Sequence, residues 1–174
     1  MAKATVLSSG EFMGRIGVYH YPDITLEEAR LILQANIEHH GKFINAASLA
    51  RLLGHVNERS GAFKRKLQSL RRWGLINSEN QLTNLGISLI SAENNEDWNK
   101  ISLIALNNVL LFKHLLKQLD KDKKDVSMEN FKKALIKVTR ADEKELERKW
   151  KHIWKIFSRT VRNIKGVIKG VIVS

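Results

Sequence analysis

The 174-residue chain has no cysteine and a single proline. Without thiols there are no disulfides, thiolate zinc sites or cysteine nucleophiles, and the composition suits a reducing, cytoplasmic setting. Long apolar runs are also lacking. A membrane-spanning helix needs about 18 or more apolar residues, whereas the most apolar region, residues 101–119, is interrupted by Ser102, Asn107, Asn108, Lys113, His114, Lys117 and Gln118. Residues 1–14 lack the continuous apolar core of a secretion signal, so the expectation is a soluble chain. No phosphate-binding glycine loop, dinucleotide fingerprint, nucleophile elbow or zinc-helix motif occurs. His39 and His40 are adjacent, which on a helix points them about 100° apart, and with His20, His55 and His114 they show no metal-ligand spacing. Pro22-Asp23 and Asp142-Glu143-Lys144 echo a metal-dependent nuclease signature, but their helical setting differs from the strand-borne carboxylates that such cleavage uses. The reading is therefore a non-enzyme without metal or cofactor, with a nuclease subunit of a mobile-element or defence system as the catalytic alternative.

What is abundant is positive charge. Thirty Lys and Arg against eighteen Asp and Glu leave a formal charge of +12, which points to an anionic partner, nucleic acid or a membrane surface. With 43 % hydrophobic residues the chain can bury a core without staples.

The low proline and aromatic content and the 3.6-residue periodicity make the chain mainly helical. Residues 1–24 read as an N-terminal arm, with Gly10, Gly14, Gly17 and Pro22 around a short run, residues 16–21, that fits an edge strand or an ordered arm. A first helix begins after Thr25, which with Glu28 makes a capping box, and ends near Gly41. Phe43 and Ile44 form an extended link, Asn45 caps a short helix over residues 46–53, and Gly54 stops it. A third helix starts at Asn57 or Ser60 and runs to Trp73, with Gly74 where a left-handed cap belongs. Two short strands, residues 75–77 and 81–83, flank the turn Ser78-Glu79-Asn80, and Thr83 caps a helix over residues 84–92. Beyond a polar link, residues 93–97, the pattern predicts one helix over residues 98–119, another over 128–138 capped by Ser127, and a last one from Asp142, which with Glu145 makes another capping box, to about residue 165. The β-branched tail, residues 166–173, reads as a strand or docking arm.

The third helix carries the functional signal. Phe63, Leu67 and Leu70 share one face; Gly61, Arg65, Gln68, Ser69 and Arg72 share the other. Lys64, Arg71 and Lys66 flank it, and Arg59 and Ser60 stand at its entrance. A helix of this kind fits the DNA major groove, where Arg reads guanine and Gln reads adenine bidentately. Arg65 and Gln68 are thus candidate base readers, Ser69 a weaker one, and Arg59, Lys64, Arg71 and Arg72 candidate phosphate contacts.

The runs 47–54 (Ala-Ser-Leu-Ala-Arg-Leu-Leu-Gly), 60–67 (Ser-Gly-Ala-Phe-Lys-Arg-Lys-Leu), 70–76 (Leu-Arg-Arg-Trp-Gly-Leu-Ile) and 82–86 (Leu-Thr-Asn-Leu-Gly) together resemble prokaryotic winged helix-turn-helix domains. The resemblance covers about sixty residues. It implies a winged helix-turn-helix fold over residues 25–92 with a small two- or three-stranded wing, and double-stranded DNA as the partner in a regulatory or accessory role. Winged helices also serve as protein-interaction modules, so the fold alone does not decide. The wing tip departs from the pattern, for it carries Glu79 and no Arg or Lys, and a wing contact with DNA is not implied.

Residues 93–174 read as a C-terminal helical extension. In its last helix Leu146, Trp150, Ile153, Trp154, Phe157, Val161 and Ile164 form an apolar stripe, surrounded by Lys144, Arg148, Lys149, Lys151, Lys155, Arg159, Arg162 and Lys165. The stripe calls for burial against residues 98–119 of the same chain, with a homodimer through these helices as an addition. A basic amphipathic helix with tryptophans also describes membrane-surface binders, but Glu143, Glu145 and Glu147 and the apolar neighbour argue against that.

Overall fold

The computed structural model describes residues 14–164. The tail, residues 166–173, and residues 1–13 of the arm lie outside the described residues. A hairpin opens the described chain, β1 (Arg15–Ile16) pairing antiparallel with β2 (Tyr19–His20) in the register Arg15↔His20 and Ile16↔Tyr19. Eight helices follow: α1 (Leu26–His40), α2 (Ala46–Leu52), α3 (Gly61–Trp73), α4 (Asn84–Ser91), α5 (Asn95–Asn108), α6 (Leu110–Lys121), α7 (Met128–Thr139) and α8 (Glu143–Asn163). The described fold is thus mainly helical with a small two-stranded sheet.

Local caps set most of these boundaries. Thr25, Asn45, Thr83, Asn94, Ser127 and Asp142 each accept a hydrogen bond from the backbone N–H three residues on, satisfying a donor that the first helical turn cannot. Both expected capping boxes, Thr25 with Glu28 and Asp142 with Glu145, are only half made. Thr25 donates its hydroxyl to the Glu28 carboxylate, and the Glu145 carboxylate accepts from the Gly17 N–H and the Lys149 ammonium.

Between α3 and α4 the chain turns back on itself. Ile76 bridges Leu82, and Asn77 N–H and Thr83 N–H donate to the carbonyls of Gln81 (2.9 Å) and Leu75 (3.0 Å). The link before α2 joins as a third extended segment: Phe43 bridges Gln81, Leu82 N–H donates to Lys42 (2.9 Å), and Ile44 N–H donates to Asn80 (2.8 Å). Buried Asn36 holds this link, donating from Nδ2 to the carbonyls of Gly41 and Phe43 and accepting from Asn45 N–H. Gly86 allows α4 to sit on the turn, since a Cβ there would lie 2.2 Å from the Leu75 carbonyl oxygen. Gly74, at φ 84°, ends α3 in the left-handed conformation, and Thr83 Oγ1 donates to its carbonyl at 2.6 Å.

The single helix expected over residues 98–119 is instead two. Asn94 starts α5 earlier, with Glu96 and Asp97 complementing the first turn, and Val109, extended at φ −98° and ψ 107°, separates α5 from α6. The break accompanies a tertiary contact: Asn108 Nδ2 donates at 2.9 Å to the Trp73 carbonyl, on the α3 terminus that Gly74 leaves open. A continuous apolar stripe cannot reveal such a break, because both halves are buried on the same core.

That core is one cluster from Ile16 to Ile164, running through the helices of both halves of the chain. Rings of Trp73, Phe112, Phe157, Phe131 and Trp154 follow one another at centroid distances of 5.7, 5.5, 5.2 and 5.1 Å, joining α3, α6, α8 and α7. Such pairs contribute about 0.5–1.5 kcal/mol each beyond area burial. The apolar stripe of α8 is therefore buried within the chain, against α5 and α6, which together hold the residues expected, and also against α7.

Candidate functional site

The candidate site is built on α3. Its inner residues Phe63, Leu67, Leu70 and Trp73 are buried, and Trp73 Nε1 donates at 2.9 Å to the Ile24 carbonyl, tying α3 to the start of α1. Ser60 precedes the helix without a side-chain cap bond, and its hydroxyl lies 3.5 Å from His55 Nδ1. Lys66 is turned aside to His55 Nε2 at 2.8 Å.

The outer face divides in two. Gly61, Lys64, Gln68 and Arg71 are exposed, forming a line on successive turns, and Arg59 is exposed at its entrance. Arg71 donates to Asn80 Oδ1 at the end of the neighbouring turn. The other edge, with Arg65, Ser69 and Arg72, is covered by the segment entering α1. Ser69 is fully buried, and its Oγ accepts the Asp23 N–H at 2.7 Å. Arg72 Nη1 donates to the carbonyls of Gly14 (3.0 Å) and Tyr21 (2.9 Å), and burial pushes its guanidinium below the usual arginine range. Arg65 keeps 35 % of its side-chain exposure, with Nε 3.4 Å from Asp23 Oδ2.

Two expectations are thereby corrected. The helical wheel places Ser69 and Arg72 on the solvent side, but residues 14–24 lie over that side. Ser69 is closed off, and Arg72 serves chiefly as a clamp for the segment. Periodicity shows which residues share a face; it does not show what covers it. The signal that reading missed is the apolar character of the arm itself, for Ile16, Tyr21 and Ile24 belong to no helix and are nonetheless buried.

Asp23 and His152 were not among the candidate site residues, yet they join α3 to α8. His152 Nε2 lies 2.6 Å from Asp23 Oδ1, while Asp23 Oδ2 faces Arg65. The hydrogen bond with Asp23 holds the His152 imidazole above its usual pKa, against opposing contributions from burial and Lys155. Lys149, expected among the outer cations of α8, is 5 % exposed; its ammonium meets Glu145 Oε2 at 2.9 Å and also donates to the Arg15 carbonyl.

The nuclease-like triplets are separated in their uses. Asp142 caps α8, and the Asp23 carboxylate is engaged by His152 and Arg65. Among the described residues, no group of three or more His, Asp or Glu side chains is placed to hold a metal ion, and no helix is long and apolar enough to cross a membrane. Comparison of the chain with family models, curated proteins and solved structures found no match.

Proposed function

We propose that this chain binds double-stranded DNA as a winged helix-turn-helix protein, with α3 in the major groove. The carrying observation is the exposed line Lys64, Gln68 and Arg71, with Arg59 at its entrance, on a helix that contains no acidic residue. Supporting it, α1, α2 and α3 are followed by the paired segments at Ile76 and Leu82, with Phe43 bridged to Gln81 alongside. This order and pairing correspond to the helices and wing of that fold.

An α3 of 13 residues is about 20 Å long, and the groove admits a helix. Lys64, Arg71 and Arg59 contact phosphate, Gln68 reads a base edge, and Ser60 lies at the helix entrance. Arg65 is a second base reader once it exchanges the Asp23 carboxylate for a guanine edge. Ser69 and Arg72 support the helix from beneath and beside it. The role is that of a transcriptional regulator or an accessory DNA binder.

The test is fluorescence anisotropy of the full chain with a labelled duplex over a salt series. Replacing Lys64 and Arg71 together with alanine should lower the slope of log K against log salt by about 1.8, at about 0.9 for each lost phosphate contact. Unchanged affinity and slope would overturn the proposal. Selection from a random duplex pool then separates the roles, since a palindromic site indicates a dimeric regulator and no motif indicates a backbone binder.

A further inference from the structure

The outer face of α8 carries Lys144, Arg148, Lys151, Lys155, Arg159 and Arg162 at successive intervals of four, three, four, four and three residues, and all six are exposed. These intervals keep them on one strip of the helix, about 27 Å long at 1.5 Å per residue. None of the six forms an ion pair among the described residues. Of the three acids of the same helix, Glu143 stands at its first residue, Glu145 meets Lys149, and Glu147, which also feels the charge of Lys151, meets Lys132 of α7 at 2.9 Å. An ordinary solvated helix face mixes both signs of charge, whereas this strip carries one.

Near its middle the strip is tied to α3 through Asp23 of the segment entering α1. His152, joined through Asp23 to Arg65 of α3, lies four residues after Arg148 and three before Lys155, so these two cations flank the junction. From this geometry we infer that the α8 strip is a second DNA contact, lying along the sugar-phosphate backbone beside the groove that α3 enters. This inference rests on the DNA-binding reading above. The strip carries no bidentate pattern aimed at base edges, so it adds affinity without sequence preference. An anionic membrane is the less suitable partner, because interfacial binding needs a free apolar face. Here Leu146, Trp150, Ile153 and Phe157, which would supply that face, are buried in the core.

The experiment compares three full-length variants with the wild type by duplex anisotropy between low and physiological salt. Lys151→Gln/Lys155→Gln/Arg159→Gln removes the middle of the strip. Lys113→Gln/Lys117→Gln/Lys121→Gln removes the same charge from exposed positions of α6, and Lys64→Ala/Arg71→Ala weakens α3. The strip variant should lower the salt slope by between about 1 and 2.7, at about 0.9 per contact, equally on unrelated sequences and with an unchanged thermal midpoint. The α6 variant should keep the wild-type slope.

A strip variant with the wild-type slope, while the α3 variant is impaired, overturns this inference and leaves the α3 reading standing. An equal loss in the α6 variant overturns it too, because net charge alone then explains the effect. A wild type that fails to bind duplex even at low salt overturns both. Flotation of the wild type with phosphatidylglycerol vesicles, abolished in the strip variant whose DNA slope is unchanged, would reassign the strip to membrane.

Discussion

Replacing Asp23 with asparagine isolates the junction between α3 and α8, because the new side chain keeps the shape and the backbone N–H to Ser69 while removing the charge. In the wild type the carboxylate faces His152 at 2.6 Å and Arg65 at 3.4 Å and is 14 % exposed. A hydrogen bond to a charged group contributes about 1.5–3 kcal/mol. The His152 side chain is 32 % exposed, so solvent screening lowers the expected loss to about 1–2 kcal/mol, or roughly 2–8 °C in midpoint for a chain of this size. Its pH dependence follows from the raised pKa of His152, set by Asp23 against burial and Lys155. A group with a raised folded-state pKa contributes stability that is fully present below its unfolded value, about 6.5 for histidine. That stability is lost as the pH rises through the folded value. Urea unfolding of wild type and Asp23→Asn at pH 5.5 and pH 9 should therefore give a larger difference at the lower pH. A difference equal at both, or greater at pH 9, would refute the charged His152–Asp23 pairing. The same substitution releases Arg65 and removes a negative charge from the edge of α3, so DNA affinity should rise several-fold.

Other substitutions examine the frame around the site. Gly86→Ala places a Cβ 2.2 Å from the Leu75 carbonyl oxygen, a backbone atom that cannot swing away; calorimetry should record a loss of about 1–3 kcal/mol. Asn36→Ala leaves the Phe43 carbonyl and Asn45 N–H without their buried partner. Denaturant unfolding should show a cost of about 1–3 kcal/mol, with faster amide exchange at Ile44 and Leu82, whose N–H groups bond across the segments that Asn36 anchors.

Much of the local architecture is legible in the sequence because its determinants lie within one helical turn. Thr25, Asn45, Thr83, Ser127 and Asp142 are caps whose acceptor oxygen reaches an N–H three residues away, and Gly74 stands where α3 needs a left-handed residue. The site is only partly legible. The exposed line Lys64, Gln68 and Arg71 lies within the face that the wheel and its flanks indicate. By contrast, the covering of Ser69 and Arg72 depends on a segment 46 residues away at Asp23 N–H and 58 residues away at the Gly14 carbonyl.

The sequence by itself determined the helical character, most of the helix starts, the division of α3 into an inner and an outer side, and the burial of the α8 stripe. These follow from side-chain size, backbone preference and short-range hydrogen bonds, which act wherever the segment is placed. Tertiary structure alone decided that Val109 interrupts the long apolar helix, that Lys149 turns inward, and that the N-terminal segment closes one edge of α3. It also set Asp23 against His152, 129 residues away. Each of these outcomes is a pairing between groups distant in the chain, and the partner exists only once the core has brought α3, α8 and the hairpin together.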